Sequence, residues 1–103
     1  MSEPTIIRAQ ATATGANVRV LLRHEMETGQ RKDASGNTVP AWYIQELVAT
    51  WNGQPVLRAD WGTGISKNPF LQFTVLAAKA GDKIAIAWKD TRGQTRTDEA
   101  VVT

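Results

Sequence analysis

The chain has 103 residues, of which 42% are apolar and 21% are charged, and its formal net charge is +2 at pH 7. A chain of this length folds as one domain that buries roughly two-thirds of its unfolded surface, so we expect a single domain over residues 1–103. It contains no cysteine, which excludes disulfides, thiolate catalysis and cysteine-bound metal centres.

The sequence pI of about 9.3 does not indicate nucleic-acid binding. The 12 basic and 10 acidic residues nearly balance, and the longest basic run is Arg31-Lys32, whereas nucleic-acid binding needs clustered basic residues. No apolar run is long enough for a membrane span. The first residues lack the charged start and apolar stretch of a signal peptide, which alone predicts a cytoplasmic protein, export by an unusual route, or a chain whose leader has been removed.

Short runs of β-branched and aromatic residues, bounded by Gly, Asn, Asp and Pro, predict seven strands and no helix. The strands are placed at Thr5–Ala13, Val18–His24, Trp42–Trp51, Gln54–Trp61, Phe70–Leu76, Lys83–Asp90 and Arg96–Val102. The residues Gly15-Ala16-Asn17 are expected to form a turn. Asn52-Gly53 predicts a tight hairpin, because both positions of a type I′ turn need positive φ.

Alternation of apolar and polar residues assigns inner faces to most strands. The residues expected to face the core are Val18, Val20, Leu22, Leu57, Ala59, Trp61, Leu71, Phe73, Val75, Ile84, Ile86 and Trp88. In the third strand Gln45 falls on the face of Tyr43 and Leu47, which predicts a β-bulge or a bridging role, and Ile44 is assigned to the opposite face. Pro55 lacks an N–H donor and places the fourth strand at a sheet edge.

Seven short strands about 12 residues apart, with turn residues between them, predict an all-β fold. Parallel pairing would need helical crossovers, and no helical pattern fits between the strands. We therefore expect an immunoglobulin-like antiparallel β-sandwich without the disulfide of antibody domains.

Catalytic machinery is sparse in this sequence. His24 is the only histidine, and the neighbouring Glu25 would point to the opposite strand face, so a Ser-His-Asp site is not expected. His24, Glu25 and Met26 offer too few ligands for zinc or copper, so we expect no metal and no cofactor. His24 is instead expected to bond a loop carbonyl at the end of its strand. The acids Asp98 and Glu99 have no fixed separation from Glu25.

The aromatic residues exceed what two small inner faces need, with four Trp, two Phe and one Tyr. If Leu71 and Phe73 face inward, Phe70 lies on the outer face beside residues 67–69. An exposed aromatic next to polar residues indicates a protein interface. For Trp42 and Phe70 the two interpretations, interface and core, both remain open.

The longest segment without apolar rhythm runs from Glu25 to Pro40, and a compact domain rarely keeps such a segment without a functional reason. It belongs to a set of separated motifs that together resemble one family, SoxZ, the cysteine-free subunit of the bacterial SoxYZ sulfur carrier. The motifs are Arg8-Ala9-Gln10, His24-Glu25-Met26-Glu27-Thr28-Gly29, Pro40-Ala41-Trp42-Tyr43-Ile44, Lys67-Asn68-Pro69-Phe70 and Thr97-Asp98-Glu99-Ala100.

The resemblance implies a non-catalytic subunit that pairs with SoxY in a heterodimer. In that system SoxY holds the thiosulfate-derived sulfur intermediate on a cysteine of its flexible C-terminal tail and visits the other Sox enzymes. It also implies a periplasmic location, reached by co-export with the partner. The residues expected at the partner interface are His24, Glu25, Met26, Trp42, Lys67, Asn68, Pro69, Phe70, Asp98 and Glu99.

Other functions remain open at this point. Exposed Trp residues on a sandwich face would suit a free-standing module that binds a small ligand or sugar. A small hydrolase or metal enzyme that uses His24 is a third possibility. The isolated chain is also expected to pair with itself, because a face meant for a related sandwich is apolar enough for a symmetric dimer.

Overall fold

The computed structural model describes residues 3–103, which form two antiparallel sheets and contain no helix in that range. The strands are β1 (Ile6–Ala11), β2 (Gly15–Leu21), β3 (Ile44–Trp51), β4 (Gln54–Asp60), β5 (Phe70–Leu76), β6 (Lys83–Asp90) and β7 (Thr95–Val101). One sheet has the order β1-β2-β5 and the other β4-β3-β6-β7. In immunoglobulin terms these are A-B-E and C′-C-F-G, so the predicted sandwich is confirmed. No helix long and apolar enough to cross a membrane occurs in these residues.

The predicted turn at residues 15–17 is wrong, because these residues belong to β2. The chain turns earlier, where Thr12 Oγ1 accepts the amide of Gly15 at 3.2 Å. Gly15 serves close packing instead: a Cβ there would lie within 3 Å of the Val75 main chain on the neighbouring strand β5. Position 15 therefore does require glycine, but for close packing between strands and not for a turn.

The core lies between the two sheets and follows the predicted alternation. Its buried apolar residues are Ala9, Ala16, Val18, Val20, Leu22, Met26, Ile44, Leu47, Ala49, Val75, Ala78, Ile84, Ile86, Trp88 and Val102. The assignment of Ile44 to the face opposite Leu47 is wrong, because both side chains are buried. A bulge between Ile44 and Glu46 confirms the irregularity predicted at Gln45, and it shifts the phase so that Ile44 also points inward. Five residues that were predicted to face the core pack against it but are only partly buried, namely Leu57, Ala59, Trp61, Leu71 and Phe73.

Turns and edges agree with the turn chemistry of the sequence. Asn52 and Gly53 have φ of 48° and 85°, as a type I′ hairpin requires. The strand that contains Pro55, β4, lies at a sheet edge as predicted. At the free edge of β1, Thr103 donates its amide to Ala9 O at 3.0 Å.

The long connection between β2 and β3 forms a hairpin-like arm, which we define as residues 27–42. Glu27 pairs with Trp42 and Lys32 pairs with Thr38 through isolated antiparallel bridges. At the tip the Asp33 carboxylate accepts the amides of residues 35 and 37. The described residues extend 53 Å along the longest axis and 21 Å along the other two. The segment without apolar rhythm is therefore ordered by backbone pairing and not by a core of its own.

Candidate functional site

One end of the sandwich, where β2 and β6 finish, holds a buried histidine–aspartate pair. His24 follows the inward-facing Leu22 by two residues, and Asp90 follows the inward-facing Trp88 by two residues. His24 Nε2 lies 3.0 Å from Asp90 Oδ2, and the two side chains are 2% and 0% exposed. The inward rows of two strands from opposite sheets thus end on polar groups that meet in the interior.

Four hydrogen-bond donors converge on the Asp90 carboxylate. Oδ2 accepts His24 Nε2 and also Trp42 Nε1, the latter at 2.7 Å. Oδ1 accepts the backbone amides of Arg92 and Gln94, each at 2.9 Å. Burial alone would raise the pKa of this carboxyl, but the hydrogen bonds, of which His24 gives the largest effect, outweigh burial and hold the pKa below its usual range. Asp90 is therefore an anion whose acceptor sites are occupied.

The same contacts fix the form of the imidazole. Because ionised Asp90 can only accept, His24 Nε2 carries the proton. His24 Nδ1 lies 3.1 Å from the backbone nitrogen of Met26, which donates its N–H to this atom, so Nδ1 is unprotonated. His24 is therefore a neutral imidazole with both nitrogens engaged inside the protein, and its contact with Asp90 is a charge-assisted hydrogen bond.

Aromatic rings enclose the pair. The ring centroids of His24 and Trp42 are 4.8 Å apart and tilted by 59°. Trp88 meets the imidazole edge-on, with centroids 5.3 Å apart. The Arg92 guanidinium lies over the Trp42 ring. Its central carbon is 4.1 Å from the ring centroid, which is a cation–π distance. Trp42 is thus half-buried and joins the arm to the β6–β7 turn.

The segment before β5 anchors the main chain of His24. Asn68 Oδ1 accepts the His24 amide at 3.0 Å, and the Asn68 amide donates to His24 O at 2.9 Å. The carbonyl of Pro69 accepts the Leu22 amide at 2.9 Å. Lys67 Nζ lies 3.3 Å from Glu25 Oε2 on the surface. This reciprocal pairing explains why an asparagine occupies a position with φ of 51°, which asparagine tolerates better than most residues.

Left-handed backbone accompanies the site on the arm as well. Met26, a buried residue, has φ of 52°, and its sulfur lies 3.4 Å from the Ile44 amide nitrogen. Gly29 has φ of 89°, and a Cβ at this position would lie 3.1 Å from the Ala41 Cβ. The chain therefore needs unusual backbone at Met26 to aim its amide at His24, and needs glycine where the two sides of the arm approach each other.

A cavity of about 240 Å³ opens beside the pair. Its charged walls are internally neutralised: Arg23 contacts Glu3 at 2.8 Å, and Lys67 contacts Glu25. No group of three or more His, Cys, Asp or Glu side chains suited to a metal ion occurs in residues 3–103. Because both nitrogens of His24 are engaged, the imidazole presents no free lone pair to this cavity. His24 therefore serves the interior hydrogen bonds of this end and does not face the cavity as a free acid–base group.

Three of the motifs named above meet at this end, those that begin at His24, Pro40 and Lys67. A family profile described as sulphur oxidation protein SoxZ matches residues 7–101. The chain belongs to the SoxZ family. A comparison with curated proteins finds no match. Membership in the SoxZ family makes this chain a component of sulfur oxidation.

The structure brings together only part of the predicted interface set. Around the cavity of this SoxZ-family chain lie His24, Glu25, Trp42, Lys67 and Asn68. Met26 and Pro69, also from the predicted set, lie near these residues and are buried, so they pack beneath the site. The role of all these residues in partner binding stays a prediction.

The other three residues of the predicted set lie elsewhere. Phe70 begins β5 and is 62% exposed on the outer face of the three-stranded sheet. Asp98 is half-buried and accepts the Thr5 amide at 3.0 Å. Glu99 lies on the four-stranded sheet, where it pairs with Lys83 at 3.2 Å. The predicted set therefore does not form one continuous surface.

Asp90, the main partner of His24, is not among the site residues predicted from the sequence. The expected loop carbonyl is wrong, because a buried carboxylate takes that place. The alternation of β6 indicates that Asp90 is buried, because Ile84, Ile86 and Trp88 face inward and the next inward position is 90. A strand that ends on a buried acid needs a donor from the facing sheet, and the row of β2 ends on the only histidine of the chain.

Proposed function

We propose that this chain is the non-catalytic subunit of a sulfur carrier. It pairs with a SoxY-type subunit whose C-terminal cysteine holds the thiosulfate-derived sulfur intermediate, and it helps to present that cargo to the enzymes that load, oxidise and cleave it. The observation that carries the proposal is the SoxZ family match over residues 7–101. The heterodimer works in the periplasm, and its contacts with the other Sox enzymes are transient.

Two features of the chain support a role without chemistry of its own. The absence of cysteine removes any thiolate that could attack a persulfide or disulfide on the partner and divert the sulfur. The single histidine is 6% exposed as a residue, and both of its ring nitrogens are hydrogen-bonded within the protein. A general base needs a free nitrogen within reach of its substrate, which His24 lacks in this fold.

Co-purification tests the pairing directly. The chain is co-expressed with its SoxY-type protein, with an affinity tag on the partner only, and the complex is examined by sedimentation. We expect a one-to-one heterodimer at micromolar concentration. Two chains that sediment separately at this concentration contradict the proposal.

Mass spectrometry tests the division of chemistry between the two chains. After incubation with thiosulfate and the sulfur-loading enzymes, both chains are analysed under denaturing conditions. We expect added sulfur mass on the partner alone. Covalent sulfur on this chain, or turnover of a sulfur substrate by this chain alone that disappears in His24→Gln, contradicts a non-catalytic role.

A further inference from the structure

The outer face of the three-stranded sheet carries a row of apolar side chains that crosses all three strands. Ile6, Leu21 and Phe70 occupy one register line, since Ile6 pairs with Leu21 and Leu21 pairs with Phe70. Ile6 is 43% exposed and Phe70 is 62% exposed. A contiguous apolar strip on a sheet face, unlike a single exposed apolar residue, marks a surface that another molecule covers.

The next register line on the same face is cationic. Arg8 and Arg19 are directly opposite each other on β1 and β2, and Gln72 continues the line on β5. Like charges in directly opposite cross-strand positions destabilise a sheet. Both arginines are exposed, and neither has an ion-pair partner among residues 3–103. A groove of about 440 Å³ runs along the two lines.

The charge on this face is one-sided in a way that the rest of the molecule is not. Strands β1, β2 and β5 contain no acidic residue, and Arg8 and Arg19 are their only charged residues. The outer face of the other sheet carries both acidic and basic side chains, some of them in ion pairs such as Lys83–Glu99 at 3.2 Å. The uncompensated arginine pair therefore favours a binding partner that supplies the carboxylates.

We infer that this face, which we call the arginine face (Ile6, Arg8, Arg19, Leu21, Phe70 and Gln72), is the docking surface for the SoxY-type subunit. This inference rests on the proposed function. The matching surface of the partner carries an apolar patch that covers Phe70, with one or more carboxylates beside it that reach the two arginines. Arg is well suited to such contacts because its planar guanidinium binds carboxylates in a bidentate manner.

The same charges disfavour a second copy of this chain as the occupant. A two-fold homodimer uses the same patch on both copies. Two arginine faces in contact would bring two uncompensated arginine pairs into one interface, where desolvated like charges repel strongly. The face is therefore built for a partner of complementary charge.

Calorimetric titration of the full chain into the purified SoxY-type protein tests the inference. Phe70→Ser removes the most exposed side chain of the strip, and the double variant Arg8→Glu with Arg19→Glu reverses the charge. We expect Phe70→Ser to raise Kd at least about ten-fold, as for a central aromatic anchor. The charge-reversed variant raises Kd by more, and the affinity of the unaltered chain falls as salt is added.

Matched controls lie on the four-stranded sheet. Val56→Ser alters an exposed apolar residue of β4, and Lys89→Glu alters an exposed cation of β6. Both should leave Kd within about two-fold, since neutral and rim positions contribute little. An unchanged unfolding temperature for each variant shows that any rise in Kd comes from the altered surface and not from unfolding of the chain.

The outcomes separate the two ideas. If the unaltered chain binds the partner and the arginine-face variants bind equally well, the inference is overturned and the proposed function stands. If the unaltered chain does not bind the partner, the proposed function fails and the inference fails with it. A homodimer that Phe70→Ser dissociates, with partner binding unchanged, assigns the face to self-association and overturns the inference.

A cross-linking experiment checks for the carboxylate itself. Carbodiimide joins lysine amines to carboxylates but does not act on arginine. The variant Arg19→Lys should therefore gain a cross-link at position 19 to an Asp or Glu of the partner, identified by peptide mass spectrometry. A complex that forms with normal affinity but gives no partner cross-link at position 19 contradicts the predicted acidic contact.

Discussion

The two ends of the sandwich are closed by the same pair of residue types, an aspartate and a tryptophan. At one end Asp82 Oδ2 accepts Trp51 Nε1 at 2.8 Å and the Lys79 amide at 3.0 Å. At the other end Asp90 accepts Trp42 Nε1 at 2.7 Å and two turn amides. Each carboxylate therefore caps a turn and holds an indole from the neighbouring segment. Only the second end adds a histidine.

The difference follows from the connections that each end must hold. At the Asp82 end, β3 and β4 are joined by the two-residue Asn52-Gly53 turn, whose two residues both adopt the positive φ of a type I′ hairpin. At the Asp90 end, β2 and β3 are joined by residues 22–43, which include the arm. A long connection has high conformational entropy, and His24, fixed by both Asp90 and the Met26 amide, orders its start.

The largest expected effect is that of Asp90→Ala. It leaves four donors without an acceptor, among them the buried imidazole of His24 and the half-buried indole of Trp42, and should lower the free energy of unfolding by about 3–5 kcal/mol. Asp82→Ala, the matched variant at the other end, should cost less because Asp82 has fewer buried partners. Urea denaturation of both variants measures the comparison. Equal losses would contradict the special role of the histidine-bearing end.

The pH dependence of stability should come next in size. The pKa of Asp90 is lowered in the folded protein, so its contribution is fully present above the unfolded pKa of about 3.9 and is lost as pH falls through the folded pKa. Hydrogen bonds from Trp51 and the Lys79 amide lower the pKa of Asp82 as well. Between pH 5 and pH 2 we expect Asp90→Asn to show a shallower loss of stability than the unaltered chain, measured by thermal unfolding.

A smaller and more local effect is expected from His24→Phe. The ring still packs between Trp42 and Trp88, but the Met26 amide loses its acceptor, which costs about 1–3 kcal/mol. Amide hydrogen exchange should accelerate at Met26 and in the arm, while the Lys79 amide at the opposite end keeps its protection. Uniform acceleration across both ends would mean that His24 supports the whole fold and not this connection.

The smallest effect separates backbone strain from close packing within the arm. Gly29→Ala should cost about 1–2 kcal/mol for the left-handed conformation, plus the contact with Ala41 Cβ at 3.1 Å. Gly36→Ala is the control, since it has φ of 82° but no atom within 4 Å of the added Cβ. Urea denaturation measures the free energy of unfolding of each variant. The extra loss in Gly29→Ala relative to Gly36→Ala is the cost of the contact with Ala41. Equal losses of stability in the two variants would mean that Ala41 shifts away from the added Cβ without cost, which contradicts a packing role for Gly29.

The sequence predicts most of the fold because period-two alternation and turn residues are local signals. The bounds of β5 and β6, the Asn52-Gly53 hairpin and the bulge near Gln45 all follow from residues within a few positions. Gly15 was misassigned because a glycine that turns the chain and one that admits a neighbouring strand look alike in sequence.

The site was less predictable because its key contacts join distant segments. His24 and Asp90 are 66 positions apart, and only the packing of two sheets brings their inward rows together. The Asn68 contact with the His24 main chain joins residues 44 positions apart. Such pairs become visible only when both strands are known to face each other. The Arg8–Arg19 opposition was not predicted either, because the turn expected at residues 15–17 sets a different β1–β2 register from the observed one.

The indole–carboxylate contacts also supply two optical reporters, one at each extremity. In the folded state Trp42 and Trp51 each hold an N–H against a buried carboxylate, and after release each would face water. Trp61 and Trp88 also emit, so the signal of one extremity is the difference between the emission of the unaltered chain and that of Trp42→Phe or Trp51→Phe. Recorded during mixing with denaturant, the two signals would reveal whether the molecule opens from its histidine-bearing side or melts as one piece.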